Sequence, residues 1–169
     1  HAAFLPGWLR AVGAGWIGWG LESFIDEMAI AAGQDPIAFR LQMLDGAGKN
    51  AGNAPEAVGG AKRLANVLKE LQKRAQWGRK LPHGQGLGVA VSAGQERTMP
   101  TWVATVAHVA VSDKGEVDVR KIFSVIDCGT VIHPDGALAQ AEGATLWGVS
   151  LALYEEAKLD GGQVSARNL

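Results

Sequence analysis

The chain has 169 residues, a net charge of −1 and the composition of an ordinary globular protein. That length can bury a substantial core, and the balanced charge offers no basic field for nucleic acid or an anionic membrane. A single cysteine, Cys128, excludes an internal disulfide and any thiolate cluster supplied by this chain alone.

Residues 1–20 are rich in Gly and Trp, and Arg10 stands among apolar neighbours. Its guanidinium needs a partner: a structural ion pair, or an anion or carbonyl in a pocket. Leu21 to Ala32 is predicted helical, with Leu21, Phe24, Ile25, Met28 and Ala32 on one apolar face and Glu22, Asp26 and Glu27 on the other. Gly33 is its predicted C-terminal stop. Asp35-Pro36 then opens a second helix striped by Ile37, Leu41 and Leu44. Met28 and Met43 are expected to fill core.

Residues 45–60 are a predicted loop. Ala61 to Trp77 is a third helix, with Leu64, Leu68, Leu71 and Ala75 inward. Lys62, Arg63, Lys69, Lys73 and Arg74 form a largely solvated face, and Gly78 is placed to cap it. Gly84 to Val91 is a strand entered through a Gly-rich turn. Trp102 to Val111 is apolar on both faces and should be a covered strand. His108 within it is expected to be a hydrogen-bonded core residue. Ser112 to Gly115 is a hairpin turn, and Val117 to Ile126 returns as the partner, with Lys121-Ile122 breaking the alternation.

Asp127-Cys128-Gly129 follows as a tight turn, and a Gly-rich helix runs from about Asp135 to Leu153. Leu138, Ala141, Thr145, Val149 and Ala152 are its predicted packed face. Gly143 and Gly148 weaken this helix by about 1 kcal/mol each relative to Ala, which suggests that something passes close to the backbone there. Tyr154 onward, through Asp160-Gly161-Gly162, forms a final hairpin. The fold class is therefore α+β: helices over 1–80, then a strand-rich part with one long helix over 81–169. Leu169 falls within a strand pair and residue 1 is not Met, so the sequence is expected to be a piece of a longer protein.

Several chemistries compete for these residues. Gly13-Ala14-Gly15-Trp16-Ile17-Gly18 fits G-x-G-x-x-G, but the βαβ unit that gives this pattern meaning is missing. His1, His83, His108 and His133 lack metal-ligand spacing, so no metal site is expected from protein side chains. Cys128 reads first as a small buried turn residue and second as an activated thiol. Gln140 can offer an amide donor and acceptor to a planar heteroatom ligand, or simply hydrogen-bond to solvent or a neighbouring helix. Glu142 points elsewhere on the same helix.

Taken together, Trp8 to Gly13, Leu21 to Ala29, Ala32 to Arg40, Ile126 to Asp135 and Ala139 to Gly143 resemble, in order, the molybdenum-binding subunit of the xanthine dehydrogenase/aldehyde oxidase family. The isoquinoline 1-oxidoreductase and bacterial aldehyde dehydrogenase branch is the nearest in flavour. The resemblance implies a partial molybdopterin-binding domain, with the cofactor as a cytosine dinucleotide. It also implies oxidation of an aldehyde or N-heterocycle with oxygen from water. Implied partners are the remainder of the large subunit, a small-molecule substrate and a subunit carrying iron–sulfur clusters; relatives occur in periplasm and cytoplasm. By the same resemblance, Arg10 orients substrate or stabilises developing charge, Gln140 contacts the pterin, and Asp127, Cys128, Gly129 and Gly143 line the cofactor region. Ala144 and His133 depart from the branch, which more often has Gly and Asn there. The family's catalytic glutamate is expected beyond Leu169. The competing readings are a catalytically silent assembly module and the dinucleotide-binding oxidoreductase.

Overall fold

The computed structural model describes residues 10–11, 13–44, 60–96 and 99–165. The predicted loop over residues 45–60 falls almost wholly outside them, as do residues 1–9. The elements run α1 (Gly13–Ala31), α2 (Pro36–Met43), α3 (Gly60–Arg74), β1 (Gln85–Glu96), β2 (Met99–Val111), β3 (Val117–Asp127), α4 (Pro134–Leu153), β4 (Leu159–Asp160) and β5 (Gln163–Val164). Gly13–Gly129 form one compact unit, and Arg10 and Ala11 group with Thr130 onward in a second.

α1 begins at Gly13 and not, as its sequence pattern predicts, at Leu21. No proline interrupts the stretch, and each added residue contributes a helical hydrogen bond that offsets the glycine penalty. Its inward face also differs from the prediction. Leu21 and Phe24 are more than half exposed, whereas Ile25, Ala29 and the charged Glu22 are buried. The reason lies on α2. Arg40 is 1% exposed, and it donates through Nε to Glu22 at 3.0 Å and through Nη1 to Asp26 at 2.6 Å. A buried guanidinium needs such partners, so the two acids turn inward with it.

The ends of α1 and α2 follow local rules. Gly33 has φ +64°; its N–H donates to Ile30 and that of Gln34 to Ala29, closing a Schellman turn. The Asp35 carboxylate accepts from the N–H groups of Ile37 at 3.0 Å and Ala38 at 2.9 Å, with Pro36 starting the helix. The other Asp35 oxygen accepts from the indole N–H of Trp77 at 2.6 Å, tying the start of α2 to the end of α3. Met43 is largely exposed rather than core. Gly78 is left-handed as expected (φ +84°), but α3 already ends at Arg74, and Gln76 (φ +49°), whose N–H reaches Lys73 O, turns the chain first.

β1, β2 and β3 form an antiparallel meander in that order. Cross-strand rows Val89–Val106–Phe123 and Val91–Ala104–Val125 point to the same face. Leu68 and Leu71 of α3, Ala75 just after it and Ile37 of α2 cover that face and complete the core. Among the described residues β2 is covered on this side and not on both faces as expected: Trp102, Ala104 and Val106 are buried, while Val103, Thr105 and Ala107 opposite them are half-exposed. The broken alternation at Lys121 is a β-bulge, since His108 faces Lys121 and Val109 faces Val119, leaving Arg120 without a partner in register. The edge strand β1 is anchored by Glu22, whose Oε2 accepts from Val91 N–H at 2.8 Å.

In the second unit, α4 has no buried residue among those described. The packed face predicted for it is not formed: Leu138 is 59% exposed, and Ala141, Thr145 and Val149 are half-exposed. β4 and β5 pair around Gly161-Gly162, both at positive φ, as a two-residue hairpin turn requires.

Candidate functional site

β3 delivers Asp127 to the end of the sheet, and α3 supplies its partner. Arg63 donates through Nε to Asp127 Oδ2 at 2.7 Å and through Nη2 to Oδ1 at 2.5 Å. Arg63 is thus turned towards the sheet, not part of the solvated basic face assigned to it from sequence. The guanidinium fork holds the Asp127 carboxyl below the usual carboxylate range, and the carboxylate in turn raises Arg63. Gly129 adds its N–H to Asp127 Oδ1 at 3.1 Å and takes φ +78°, a left-handed conformation that suits glycine. Both Asp127 oxygens are therefore engaged, and the residue shapes the turn. Cys128 is exposed at that turn, contrary to the buried position expected for it.

α4 starts at a side-chain cap that the sequence reading missed. His133 Nδ1 accepts from Gly136 N–H at 2.7 Å. A Cβ at Gly136 would meet that nitrogen at 2.8 Å. Helical spacing then sets out a face. Gly143 lies about 60° and Trp147 about 20° around the axis from Gln140, whereas Glu142 lies on the far side. Gln140 is exposed. At Gly143 and Gly148 a Cβ would meet nothing within 4 Å, so the close approach expected there is not made by the described residues.

Arg10 belongs to this same unit. Its guanidinium carbon sits 5.2 Å from the centroid of the Trp147 ring. Among the described residues no carboxylate pairs with it, so the expected structural ion pair is not what holds it. A cation–π contact does. Trp147 was not singled out from sequence, although its position seven residues after Gln140 was a usable signal. Arg10, Gln140, Gly143 and Trp147 consequently share one face of α4. An amide, a bare stretch of backbone and a cation on one surface suit a planar, anionic heterocycle.

The remaining candidates are structural. Gly13 to Gly18 lie inside α1, not in a strand-to-helix turn, which overturns the dinucleotide fingerprint. His108 Nε2 is 2.8 Å from Gln85 Oε1, the hydrogen-bonded role expected of it. Among the described residues no group of three or more His, Cys, Asp or Glu is placed to hold a metal ion. A cleft of about 360 Å³ between α1 and β1 is lined partly by Glu22 and Asp26, whose charges are already tied to Arg40. Among the described residues no helix is long and apolar enough to cross a membrane.

Comparison with known proteins identifies the family. The family model of the molybdopterin cofactor-binding domain matches residues 28–169. Over 168 residues the chain is 48% identical to a protein of Gluconacetobacter polyoxogenes named membrane-bound aldehyde dehydrogenase [pyrroloquinoline-quinone], covering 98% of this chain and 22% of that one. It is 29% identical to a nicotinate dehydrogenase subunit of Pseudomonas putida, over 95% of this chain and 13% of that one. It is 26% identical to the beta subunit of isoquinoline 1-oxidoreductase of Brevundimonas diminuta, over 95% of this chain and 19% of that one. The chain thus spans about a fifth or less of these relatives.

Proposed function

The chain belongs to the molybdopterin cofactor-binding domain family, and on that premise we propose that it forms one wall of the cofactor cavity in a molybdenum-dependent oxidoreductase. The observation that carries this reading is Arg10 resting on the α4 face that also bears Gln140 and Gly143.

The residues present fit such a group. Gln140 offers one donor and one acceptor to the edge of a pterin. Gly143 lets a flat ring approach the helix backbone, and the open space at that position supports it. By resemblance alone Asp127, Cys128 and Gly129 belong to the cofactor region; their turn is held by Arg63, with Cys128 at its exposed point. When bound, the molybdenum centre supplies a two-electron acceptor for substrate oxidation. Arg10 orients the substrate carbonyl or ring nitrogen and stabilises negative charge that develops on it. The substrate is an aldehyde or an electron-poor N-heterocycle, consistent with the names of the relatives, and the incoming oxygen derives from water. The two electrons pass to iron–sulfur clusters on a partner subunit, and the cofactor is the cytosine dinucleotide form.

The test uses the full-length protein. Metal analysis and cofactor extraction should yield molybdenum and a pterin nucleotide, and aldehyde or heterocycle oxidation should proceed with an artificial electron acceptor. Gln140→Ala should lower molybdenum content, and Arg10→Met should lower turnover per molybdenum. Recovery of pyrroloquinoline quinone without molybdenum would overturn the cofactor assignment. Full cofactor loading with no oxidation of either substrate class would favour the silent assembly module.

A further inference from the structure

We infer that Trp147 is a positioning residue for Arg10, fixing the plane of its guanidinium at the α4 surface. This rests on the proposed role of Arg10 and extends it to a residue that neither the family match nor the sequence motifs assign.

Arg10 is exposed and, among the described residues, has no carboxylate to hold it. Left alone, an arginine samples many rotamers, and a charge meant to meet a developing anion loses its effect when it is not held in advance. The Trp147 ring centroid lies 5.2 Å from the guanidinium carbon, within the range of a cation–π contact. A flat indole beneath a flat guanidinium restricts tilt while leaving the N–H groups at the rim free to donate. A carboxylate partner would occupy those N–H groups and neutralise the charge; an aromatic face does neither. Trp147 is itself anchored by position. It lies two turns along α4 from Gln140, about 10 Å, on the same side. The residue that pairs with the cofactor edge and the residue that seats the cation are therefore carried by one rigid helix. A lone tryptophan filling a core would be buried, and Trp147 is only half-buried, on a helix with no buried residue among those described.

The experiment is a double-mutant cycle in the full-length, cofactor-loaded protein, with rates expressed per molybdenum. Trp147→Leu should lower kcat by up to about tenfold with a smaller change in KM, and Trp147→Phe should retain most of the activity. In the Arg10→Met background, Trp147→Leu should have no further effect. A second readout does not depend on turnover: modification of Arg10 by phenylglyoxal, followed by peptide mass spectrometry, should be several-fold faster in Trp147→Leu and unchanged in Trp147→Phe. Equal losses in the presence and absence of Arg10, or an unchanged modification rate in Trp147→Leu, would overturn the inference while leaving the cofactor reading intact. If Arg10→Met alone leaves turnover unchanged, the catalytic role of Arg10 fails, and the inference with it.

Discussion

Arg63 and Asp127, 64 positions apart, meet in a two-pronged ion pair that joins α3 to the last residue of β3. The pair fixes the turn on which Cys128 and Gly129 are presented. A helix far upstream thereby determines the geometry of that turn.

This pair makes stability sensitive to acid. Asp127 has a folded pKa below its ordinary value, chiefly because of Arg63. Its contribution is complete above about pH 4, the unfolded value, and is lost as pH falls through the lowered folded value. Asp127→Asn should cost about 1 kcal/mol near neutrality, because the pair is only half-buried. The gap in melting temperature between parent and variant should close as pH drops below about 4. A gap that persists in strong acid would show that the charge on Asp127 is not what holds the turn.

The Glu22–Arg40 pair should behave as a buried one. Arg40→Met leaves the Glu22 carboxylate buried without its cation, a loss of about 3–5 kcal/mol. Adding Glu22→Leu should recover part of that loss. Recovery stays incomplete because Val91 N–H then loses its acceptor at the β1 edge. Thermal unfolding of the two variants, read by circular dichroism, gives both numbers.

Gln76 carries a left-handed backbone (φ +49°) at the end of α3. Gln76→Gly should therefore stabilise the chain by up to about 1 kcal/mol, and Gln76→Val should destabilise it by about 1–2 kcal/mol. Equilibrium urea unfolding of the three proteins orders them; a glycine variant less stable than the parent would show that the Gln76 side chain makes a compensating contact.

Gly143 separates stability from function. Within this chain a Cβ there meets open space, so Gly143→Ala should raise helix stability by up to about 1 kcal/mol. In the full-length protein the same change should reduce retained molybdenum, because the added methyl intrudes on the surface where the pterin is proposed to lie. Unchanged molybdenum content in a more stable protein would remove Gly143 from the cofactor surface.

Much of the backbone was legible from short-range signals. Asp35-Pro36, Gly33, Ser112 to Gly115 and Asp160 to Gly162 marked turns and caps correctly, because each acts through hydrogen bonds or φ angles within a few residues. Alternation located β3 as the hairpin partner of β2, and its one break located the bulge. The resemblance of ordered blocks pointed to the family. Side-chain orientation was less legible. Periodicity put Leu21 and Phe24 inward and Glu22 and Asp26 outward on α1, because it weighs hydrophobicity and cannot see a buried cation arriving from another helix.

The sequence by itself determined the capped α2, the hairpin turns, the pairing of β2 with β3 and membership in a cofactor-binding family, since these depend on local conformational preference and on ordered motifs. Only the tertiary structure decided that Arg40 draws two acids into the core, that Arg63 reaches Asp127, and that Arg10 lies on Trp147. Each of these brings together charges or rings from separate segments, and their attraction acts through space once the chain has folded, at separations that no local pattern encodes.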